Sequence, residues 1–342
     1  MEPSPLALSR YRGRGGVGQS TYMTEFELIR RFFASQPIRR ADVTVGIGDD
    51  AAVLRPPAGQ ELVVTTDILV EGAHFLPGAD PVALGHKALA VNLSDLAAMG
   101  AEPAWFLLNL TLPEADEAWL KGFCEGLYAL AGQYDMQLVG GNTARGPRAI
   151  AIEAQGFVPA GRALLRSGAR PGDGVYVTGR LGDAGLALLH RLGKHGLSES
   201  ELAAVVARLD RPAPRVREGM ALRGVATSAI DVSDGLIADL GHILEASGVG
   251  ARIELEKIPV SSVYRAQLGE VGWDVALANG EDYELCFTVP EQNRAALEAL
   301  APRWDCGISR IGEIVAEPGL RVRDAAGRPY TPRAHGHNHF AE

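Results

Sequence analysis

The sequence predicts an α/β protein built from two mixed α/β domains. Strand and helix patterns alternate along both halves of the chain, and a stretch rich in glycine, arginine and proline at 161–174 separates the halves. At 342 residues the chain is longer than one ordinary core usually holds. We therefore predict a disordered basic extension at 1–22, an N-terminal domain at 23–160 and a C-terminal domain at 161–342.

The first 22 residues are rich in arginine and glycine and show no period, which favours disorder, although an Arg-Gly arm that binds nucleic acid is an alternative. A helix is predicted directly after them, with Thr24 as N-cap and Glu27 completing a capping box. A second helix is predicted with Asp80 as N-cap and Pro81 as its first residue. The elements predicted for the rest of this half are strands at 61–69, 104–112, 136–139 and 149–158 and helices at 81–99 and 114–134.

The second half repeats the alternation and is also predicted to be mixed α/β. Its predicted elements are strands at 174–178, 228–232, 251–257, 284–289 and 307–314 and helices at 182–193, 214–224 and 235–247.

Composition narrows the class of protein. The net charge of −9 argues against nonspecific binding to nucleic acid or to anionic membranes. The three cysteines show no C-x-x-C spacing, so neither a zinc site nor a disulfide framework is indicated, and a reduced cytoplasm is the simplest location. No apolar run approaches the roughly 18 residues of a membrane span. We expect a cytoplasmic enzyme with no nucleic-acid or membrane partner.

Acidic residues interrupt five otherwise apolar stretches. An ionised carboxylate that is buried without a partner costs several kcal/mol, and no lysine or arginine lies within these stretches. A cation from outside the chain would supply the missing charge, and Mg²⁺ with substrate phosphates suits convergent aspartates. The stretches contain Asp49-Asp50, Thr65-Thr66-Asp67, Asn92-Leu-Ser-Asp95, Asp231-Val-Ser233-Asp234 and Glu281-Asp282.

Each candidate has a structural alternative. Asp95 could equally bridge helices, whereas capping accounts for only one of the three polar residues between Asp231 and Asp234. The glycine-rich segment 178–185 could cradle phosphate, but it lacks the P-loop lysine and a plain turn is favoured. His74 alone is typical of a surface histidine. The histidines at 335, 337 and 339 suggest metal capture, but a solvated tail is favoured. No Ser-His-Asp or Cys-His arrangement suggests covalent catalysis.

Six motifs follow one another along the chain. They are Gly-Ile-Gly-Asp49-Asp50-Ala, Thr65-Thr66-Asp67-Ile-Leu-Val-Glu-Gly-Ala-His74-Phe, Lys87-Ala-Leu-Ala-Val-Asn92-Leu-Ser-Asp95, Ala163-Leu-Leu-Arg166, Asp231-Val-Ser233-Asp234-Gly-Leu and Gly280-Glu281-Asp282-Tyr-Glu-Leu. Taken together and in this order, they resemble the thiamine-monophosphate kinase family over about Met23 to Phe340. Relatives such as aminoimidazole ribonucleotide synthetase and selenophosphate synthetase have similar acidic motifs, so the set of six is more specific than any one motif.

The resemblance implies a homodimer in which strands of the N-terminal domain join those of a second subunit in a dimeric β-barrel. It implies that ATP binds between the domains and that several Mg²⁺ ions hold its phosphates. It also implies that Asp67, Asp95 and Arg166 act in catalysis. Contacts to thiamine monophosphate are implied for His74 and Glu281, and contacts to ATP for Gly141, Asn142, Arg166 and Ser233. Metal ligands are implied at Asp49, Thr65, Thr66, Asp67, Asp95, Asn142, Asp231 and Asp234.

Two positions depart from the pattern of the family. Asn142 stands where many members have aspartate, which keeps an oxygen ligand but removes a charge. Ala334 falls near where an aromatic residue often covers the substrate, so Phe340 or His337 would have to replace it.

The expected reaction is phosphoryl transfer from ATP to thiamine monophosphate, giving thiamine diphosphate and ADP by direct in-line attack. The acceptor is a phosphate monoester that is largely dianionic at neutral pH, so it needs charge neutralisation and no general base. An ATP-dependent synthetase acting on a ribonucleotide amide, which would release inorganic phosphate, is the alternative within the same fold. A non-catalytic nucleotide or metal sensor is the alternative from another class.

Overall fold

The computed structural model describes residues 23–333 and residue 336, so the basic extension at 1–22 and the tail positions Ala334, His337 and Phe340 lie outside the described residues.

The capping box at Thr24 is confirmed, because its hydroxyl accepts from the Glu27 amide while the Glu27 carboxylate accepts from the Thr24 amide. The elements of the N-terminal half are α1 (Glu25–Leu28), which continues as a π-helix (Ile29–Phe33), β1 (Val43–Val45), β2 (Val53–Leu54), β3 (Gln60–Val70), α2 (Pro81–Ala98), β4 (Glu102–Leu112), α3 (Glu117–Gln133), β5 (Gln137–Arg145) and β6 (Ala149–Pro159).

A four-stranded sheet in the order β3-β6-β4-β5 organises this half, and β1 and β2 form a separate two-stranded sheet. β6 runs antiparallel to both β3 and β4, whereas β4 and β5 are parallel because α3 connects them. The predicted strand at 136–139 continues through the glycine pair as far as Arg145. Gly141 makes this possible, because its φ is +141° and a Cβ there would lie 1.9 Å from the Leu108 carbonyl oxygen of β4.

α2 is the central helix of the molecule. It packs against β3, β4 and β6 of the sheet on one side and against α3 on another. Two glycines let α2 and α3 approach closely, because a Cβ at Gly85 would lie 2.0 Å from the Phe123 carbonyl oxygen and one at Gly126 would lie 1.8 Å from that of Val82. Backbone therefore touches backbone, which fixes how α2 is rotated about its own axis.

The C-terminal half surrounds a seven-stranded sheet in the order β13-β12-β9-β11-β7-β10-β8. Most neighbouring strands are antiparallel, and β12 with β9 is a parallel pair. Its elements are β7 (Gly174–Thr178), α4 (Asp183–Arg191), α5 (Glu199–Asp210), α6 (Val216–Leu222), β8 (Ser228–Asp231), α7 (Leu236–Ser247), β9 (Gly250–Glu254), α8 (Ser262–Val271), α9 (Asp274–Ala278), β10 (Leu285–Val289), α10 (Arg294–Leu300), β11 (Ile308–Val315), β12 (Gly319–Arg323) and β13 (Pro329–Tyr330).

The central strands of this sheet are buried on both faces. In β7, Val175 and Val177 face a core built within the C-terminal half, whereas Tyr176 faces a second core shared with the N-terminal half. In β10, Cys286 and Phe287 divide in the same way. The alternation explains why these central strands are apolar throughout, and it joins the two halves through one continuous core.

The predicted mixed α/β architecture is confirmed, with several elements added. The sequence patterns did not predict α5, α8, α9, α10 or β12. α5 buries only Val205 and Leu209, so its apolar stripe is weak, but its capping box of Ser198 and Glu201 was a readable signal. Within the described residues, no helix combines the length and apolar character needed to cross a membrane.

Gly126→Ala is expected to destabilise the fold by about 2–3 kcal/mol, because the added methyl group overlaps the Val82 carbonyl of α2. Gly132→Ala in the same helix is the matched control. A Cβ at Gly132 would meet nothing within 4 Å, so alanine should raise stability by about 0.5–1 kcal/mol through its helix propensity. Denaturant unfolding of both variants measures the difference, and equal effects would disprove the close helix contact.

Candidate functional site

A cleft of about 970 Å³ opens between the N-terminal sheet and the C-terminal half. Its walls are the end of β3 and the loop after it, one stripe of α2, the ends of α4 and α5, and the loops that follow β8 and precede β10. Several parts of the chain bring aspartates into this cleft, and those from β3, α2 and the end of β8 form a cluster of carboxylates.

Asp67 enters the cleft from β3. Successive residues of a strand point to opposite faces, so Thr65 and Asp67 share the face that α2 covers, whereas Thr66 lies on the other face. The Thr66 hydroxyl donates to the Ile152 carbonyl oxygen at 3.1 Å. Burial raises the pKa of Asp67 to about 7, and the charges of Asp95 and Asp234 add to the shift.

Asp95 comes from α2 and meets the Thr65 hydroxyl, which donates to the Asp95 carboxylate at 2.5 Å. Burial raises the pKa of Asp95, while the Thr65 hydrogen bond and the charge of Arg166 act in the opposite direction. Arg166 is thus within electrostatic reach of Asp95, although its side chain is exposed and does not line the cleft.

Asp231 ends β8 and is buried, and the Ser94 hydroxyl of α2 donates to its carboxylate at 2.7 Å. Its pKa is raised well above the ordinary range, first by burial and then by the charge of Asp95. Ser233 and Asp234 follow on the loop and line the same cleft. A hydrogen bond therefore links the N-terminal and C-terminal parts of the acidic cluster.

Asp239 holds this loop in place and was not predicted. One of its carboxylate oxygens accepts from three consecutive backbone amides, those of Ser233 at 3.0 Å, Asp234 at 3.1 Å and Gly235 at 3.0 Å. Burial, followed by the charge of Asp234, raises the pKa of Asp239 to about 7 despite these bonds. An acidic residue in the first turn of a helix that follows glycine was the available signal.

The donor set of the cleft fits hard divalent cations. Asp67, Asp95, Asp231 and Asp234 offer carboxylate oxygens, which Mg²⁺ prefers. Among residues 23–333, no three histidine, cysteine or acidic side chains are arranged to hold a metal ion by themselves. An ion bound here would be coordinated by some of these aspartates together with water and phosphate oxygens, as Mg²⁺ usually is.

Glu281 lies on the cleft wall and contacts Lys87, a residue of α2 that sequence reasoning did not assign to the site. The loop of Glu281 is fastened to the loop after β8, because the Glu281 amide donates to the Ser233 carbonyl oxygen and the Tyr283 amide to that of Val232, both at 2.8 Å. Glu281 and Tyr283 have φ values of +64° and +49°, which are rare for side chains of this size and are often found at functional sites.

His74 follows β3 and also lines the cleft, where its Nδ1 accepts from the Val70 amide at 3.1 Å. The bond fixes the ring against the loop and leaves Nε2 as the nitrogen that carries the proton when the ring is neutral.

Three other residues with implied roles, like Arg166, do not line the cleft within one chain. Asp49 is exposed between β1 and β2 and does not line the cleft. Gly141 and Asn142 lie on β5, three strands from β3, so about 14 Å separates them from Asp67. The strand register also places Asn142 on the sheet face opposite to that of Asp67.

Sequence comparison identifies relatives of both halves. Profiles of AIR synthase related proteins match residues 48–158 with the N-terminal domain and residues 170–325 with the C-terminal domain. The thiamine-monophosphate kinase of Salmonella typhimurium (strain LT2) is 51% identical over 324 residues, which cover 93% of this chain and 98% of that protein. The thiamine-monophosphate kinase of Escherichia coli (strain K12) is 52% identical over 323 residues, with coverages of 93% and 98%.

Comparison with solved structures finds the same family. Thiamine-monophosphate kinase from Stenotrophomonas maltophilia K279a superposes with a TM-score of 0.81 at 46% identity, covering 88% of this chain and 96% of that one. AaThiL complexed with AMPPCP and TMP superposes with a TM-score of 0.72 at 32% identity, covering 92% and 97%. The hydrogenase maturation protein HypE in complex with ATP shares the fold alone, with a TM-score of 0.73 at 23% identity and coverages of 92% and 96%.

Asp67→Asn is expected to raise the melting temperature of the metal-free protein at pH 8. The folded-state pKa of about 7 exceeds the ordinary value of 3.8, so Asp67 favours folding fully below about pH 4, and this contribution is lost as the pH rises through 7. Asparagine does not ionise, so the variant does not lose this stability at pH 8. It should also be stabilised less by Mg²⁺ at pH 8, because it lacks the carboxylate.

Thermal unfolding at pH 5 and pH 8, with and without MgCl₂, measures both effects. Asp305→Asn, at an exposed aspartate outside the cleft, is the matched control. The charge-cluster interpretation is wrong if Asp67→Asn lowers the metal-free melting temperature at pH 8 or leaves the Mg²⁺ response unchanged.

Proposed function

Since the chain belongs to the thiamine-monophosphate kinase family of AIR synthase related proteins, we propose that it transfers a phosphoryl group from ATP to thiamine monophosphate. The products would be thiamine diphosphate and ADP. The observation that carries the proposal is the convergence of Asp67, Asp95 and Asp231 in one cleft, where burial raises the pKa of all three and the charge of Asp95 adds to the shifts of Asp67 and Asp231. Such a site has an excess of negative charge that metal ions bound to phosphates would balance.

The proposed cofactor is Mg²⁺, in several ions, and the proposed co-substrate is ATP. When bound, Mg²⁺ would neutralise phosphate oxygens and align the reacting groups. Asp67, Asp95, Asp231 and Asp234 are the proposed ligands that line the cleft of one chain. The Thr65 and Thr66 hydroxyls are proposed as further ligands, as is Asp49, which lies outside that cleft. Gly141, Asn142, Arg166 and Ser233 are proposed to contact ATP, and His74 and Glu281 to contact the thiamine moiety.

We propose direct in-line transfer without a covalent intermediate. The acceptor phosphate has its second pKa near 6 and is largely ionised at neutral pH, so no general base has to remove a proton. The cysteine thiols support this, because burial raises the pKa of Cys124 to about 12 and that of Cys306 to about 11 and raises the pKa of Cys286 as well. None of the three is suited to act as a nucleophile.

We propose a homodimer formed through the open face of the N-terminal sheet. Leu62, Val64 and Ile68 of β3 point away from α2, with exposed fractions of 48%, 53% and 53%. A row of apolar side chains on an exposed sheet face is typical of a protein interface. Asn142 lies on this same face, so a second copy packed there, as in the proposed dimeric β-barrel, would bring Asn142 of one chain toward the cleft of the other.

The three cysteines are free thiols, and a reducing compartment keeps thiols in that state. We therefore propose a cytoplasmic location.

A product assay with Mg-ATP tests the reaction. Thiamine monophosphate should yield thiamine diphosphate and ADP in equal amounts, whereas free thiamine should react at least about a hundredfold more slowly, because its neutral hydroxyl lacks the charge that the site neutralises. The Asp67→Asn variant is the inactive control. Comparable rates on both substrates would contradict the charge-neutralisation mechanism, and release of inorganic phosphate in place of transfer would indicate a synthetase.

Val64→Lys tests the dimer, because it places a charge in the middle of the open face without disturbing the core. Light scattering should give twice the 36.2 kDa of one chain for the unchanged protein and the mass of one chain for the variant. Leu192→Lys, at a leucine of the C-terminal half that is 44% exposed, should leave the dimer intact. A monomeric unchanged protein, or a Val64→Lys variant that stays dimeric, would exclude this interface.

A further inference from the structure

The ion pair between Lys87 and Glu281 joins the two halves of the molecule at the wall of the cleft. Lys87 lies on α2 and Glu281 on the loop before β10, and the Lys87 ammonium donates to the Glu281 carboxylate. Both residues line the cleft, although the side chains are only 6% and 23% exposed. Removing two charges from water this far is costly, so the pair requires an explanation.

A second buried ion pair in the same protein shows what a structural role looks like. Glu284 is 1% exposed and accepts a two-pronged contact from the Arg215 guanidinium and a hydrogen bond of 2.7 Å from the Thr178 hydroxyl. Arg208 adds a further contact at 3.7 Å. Glu284 does not line the cleft. The Glu284 carboxylate thus accepts from several donors that are held in place. Lys87 instead makes a single contact with Glu281, on a wall of the cleft that a ligand can reach.

The position of Lys87 on α2 relates it to the acidic cluster. Lys87, Val91 and Asp95 are spaced by four residues and form the stripe of α2 that lines the cleft. Glu281 in turn is hydrogen-bonded to the backbone of Ser233, next to Asp234. Lys87 therefore lines the same cleft as the carboxylates at which phosphoryl transfer is proposed to occur, and it lies two helical turns, about 12 Å, along α2 from Asp95.

Thiamine monophosphate carries the same two charges as the ion pair, a cationic thiazolium ring and an anionic phosphate. We propose that Lys87 is a specificity-determining residue that binds the phosphate of the acceptor while Glu281 faces its thiazolium ring. The inference rests on the proposed function and adds to it a protein group that distinguishes the monophosphate from free thiamine. Lysine suits this role, because its ammonium is a point charge with three donors that Glu281 and a phosphate oxygen can share.

Calorimetric binding of thiamine monophosphate and of thiamine, with Mg²⁺ and a non-hydrolysable ATP analogue present, tests the inference. Lys87→Met keeps the length of the side chain and removes its charge. It should weaken binding of the monophosphate by roughly tenfold to a hundredfold, because a charge-assisted hydrogen bond is lost. Binding of thiamine should change by less than about threefold, because thiamine carries no phosphate.

Glu281→Gln gives the complementary result. It should weaken binding of both ligands by similar factors, because both carry the thiazolium ring. Lys87→Arg should recover part of the affinity for the monophosphate, and Lys194→Met, which removes an exposed cation that also lines the cleft, should match the unchanged protein. If Lys87→Met does not fold, Lys87→Gln is measured with the same two ligands.

Two results would overturn the inference while leaving the proposed function intact. Equal weakening of both ligands by Lys87→Met would mean that Lys87 only positions Glu281, and unchanged binding of the monophosphate would mean that it does not contact the phosphate. If the unchanged protein binds neither ligand, the proposed function itself fails, and the inference fails with it.

Discussion

Mutual repulsion among aspartates in one cleft is the constraint on which the arrangement of this protein depends. Asp67 comes from β3, Asp95 from α2 and Asp231 from the end of β8. Burial raises the pKa of all three, and the charge of Asp95 adds to the shifts of Asp67 and Asp231. Folding alone would not bring such groups together, because they lower stability at neutral pH. Two extensive apolar cores, one of them shared by both halves, offset this cost. The fold thus holds in place a set of carboxylates whose ionised forms a cationic ligand would balance.

The rotation of α2 decides which of its side chains meet this cluster. Close backbone contact at Gly85 and Gly126 fixes the helix against α3, and the stripe opposite contains Lys87 and Asp95. The same helix supplies Ser94, which hydrogen-bonds to Asp231 across the two halves. Small residues far from the chemistry therefore determine the geometry of the cleft, because a shift of α2 would displace a cation, a carboxylate and a hydroxyl together.

The sequence predicted the acidic cluster because its signal is local: a carboxylate within an apolar stretch is visible in a few neighbouring residues. The Lys87–Glu281 pair could not be predicted in this way, because its partners are 194 positions apart. The placement of Asn142 depends on the strand order and on which face of β5 it occupies, neither of which a single strand pattern gives. Asp239 was missed although it is local, since an acidic residue near a helix start is usually no more than a favourable charge.

The two interior ion pairs show how one fold separates structure from recognition. Arg215 donates to both carboxylate oxygens of Glu284 through its rigid planar guanidinium, and the Thr178 hydroxyl donates to the same carboxylate. Lys87 is a flexible point charge whose ammonium has three donors, and its side chain lines the cleft, whereas Arg215 does not. A phosphate could not take the place of Glu284 without breaking several fixed bonds, but it could share the ammonium of Lys87 at little cost. The difference in donor chemistry, more than any difference in burial, is why the Lys87–Glu281 pair is suited to exchange partners with a charged ligand.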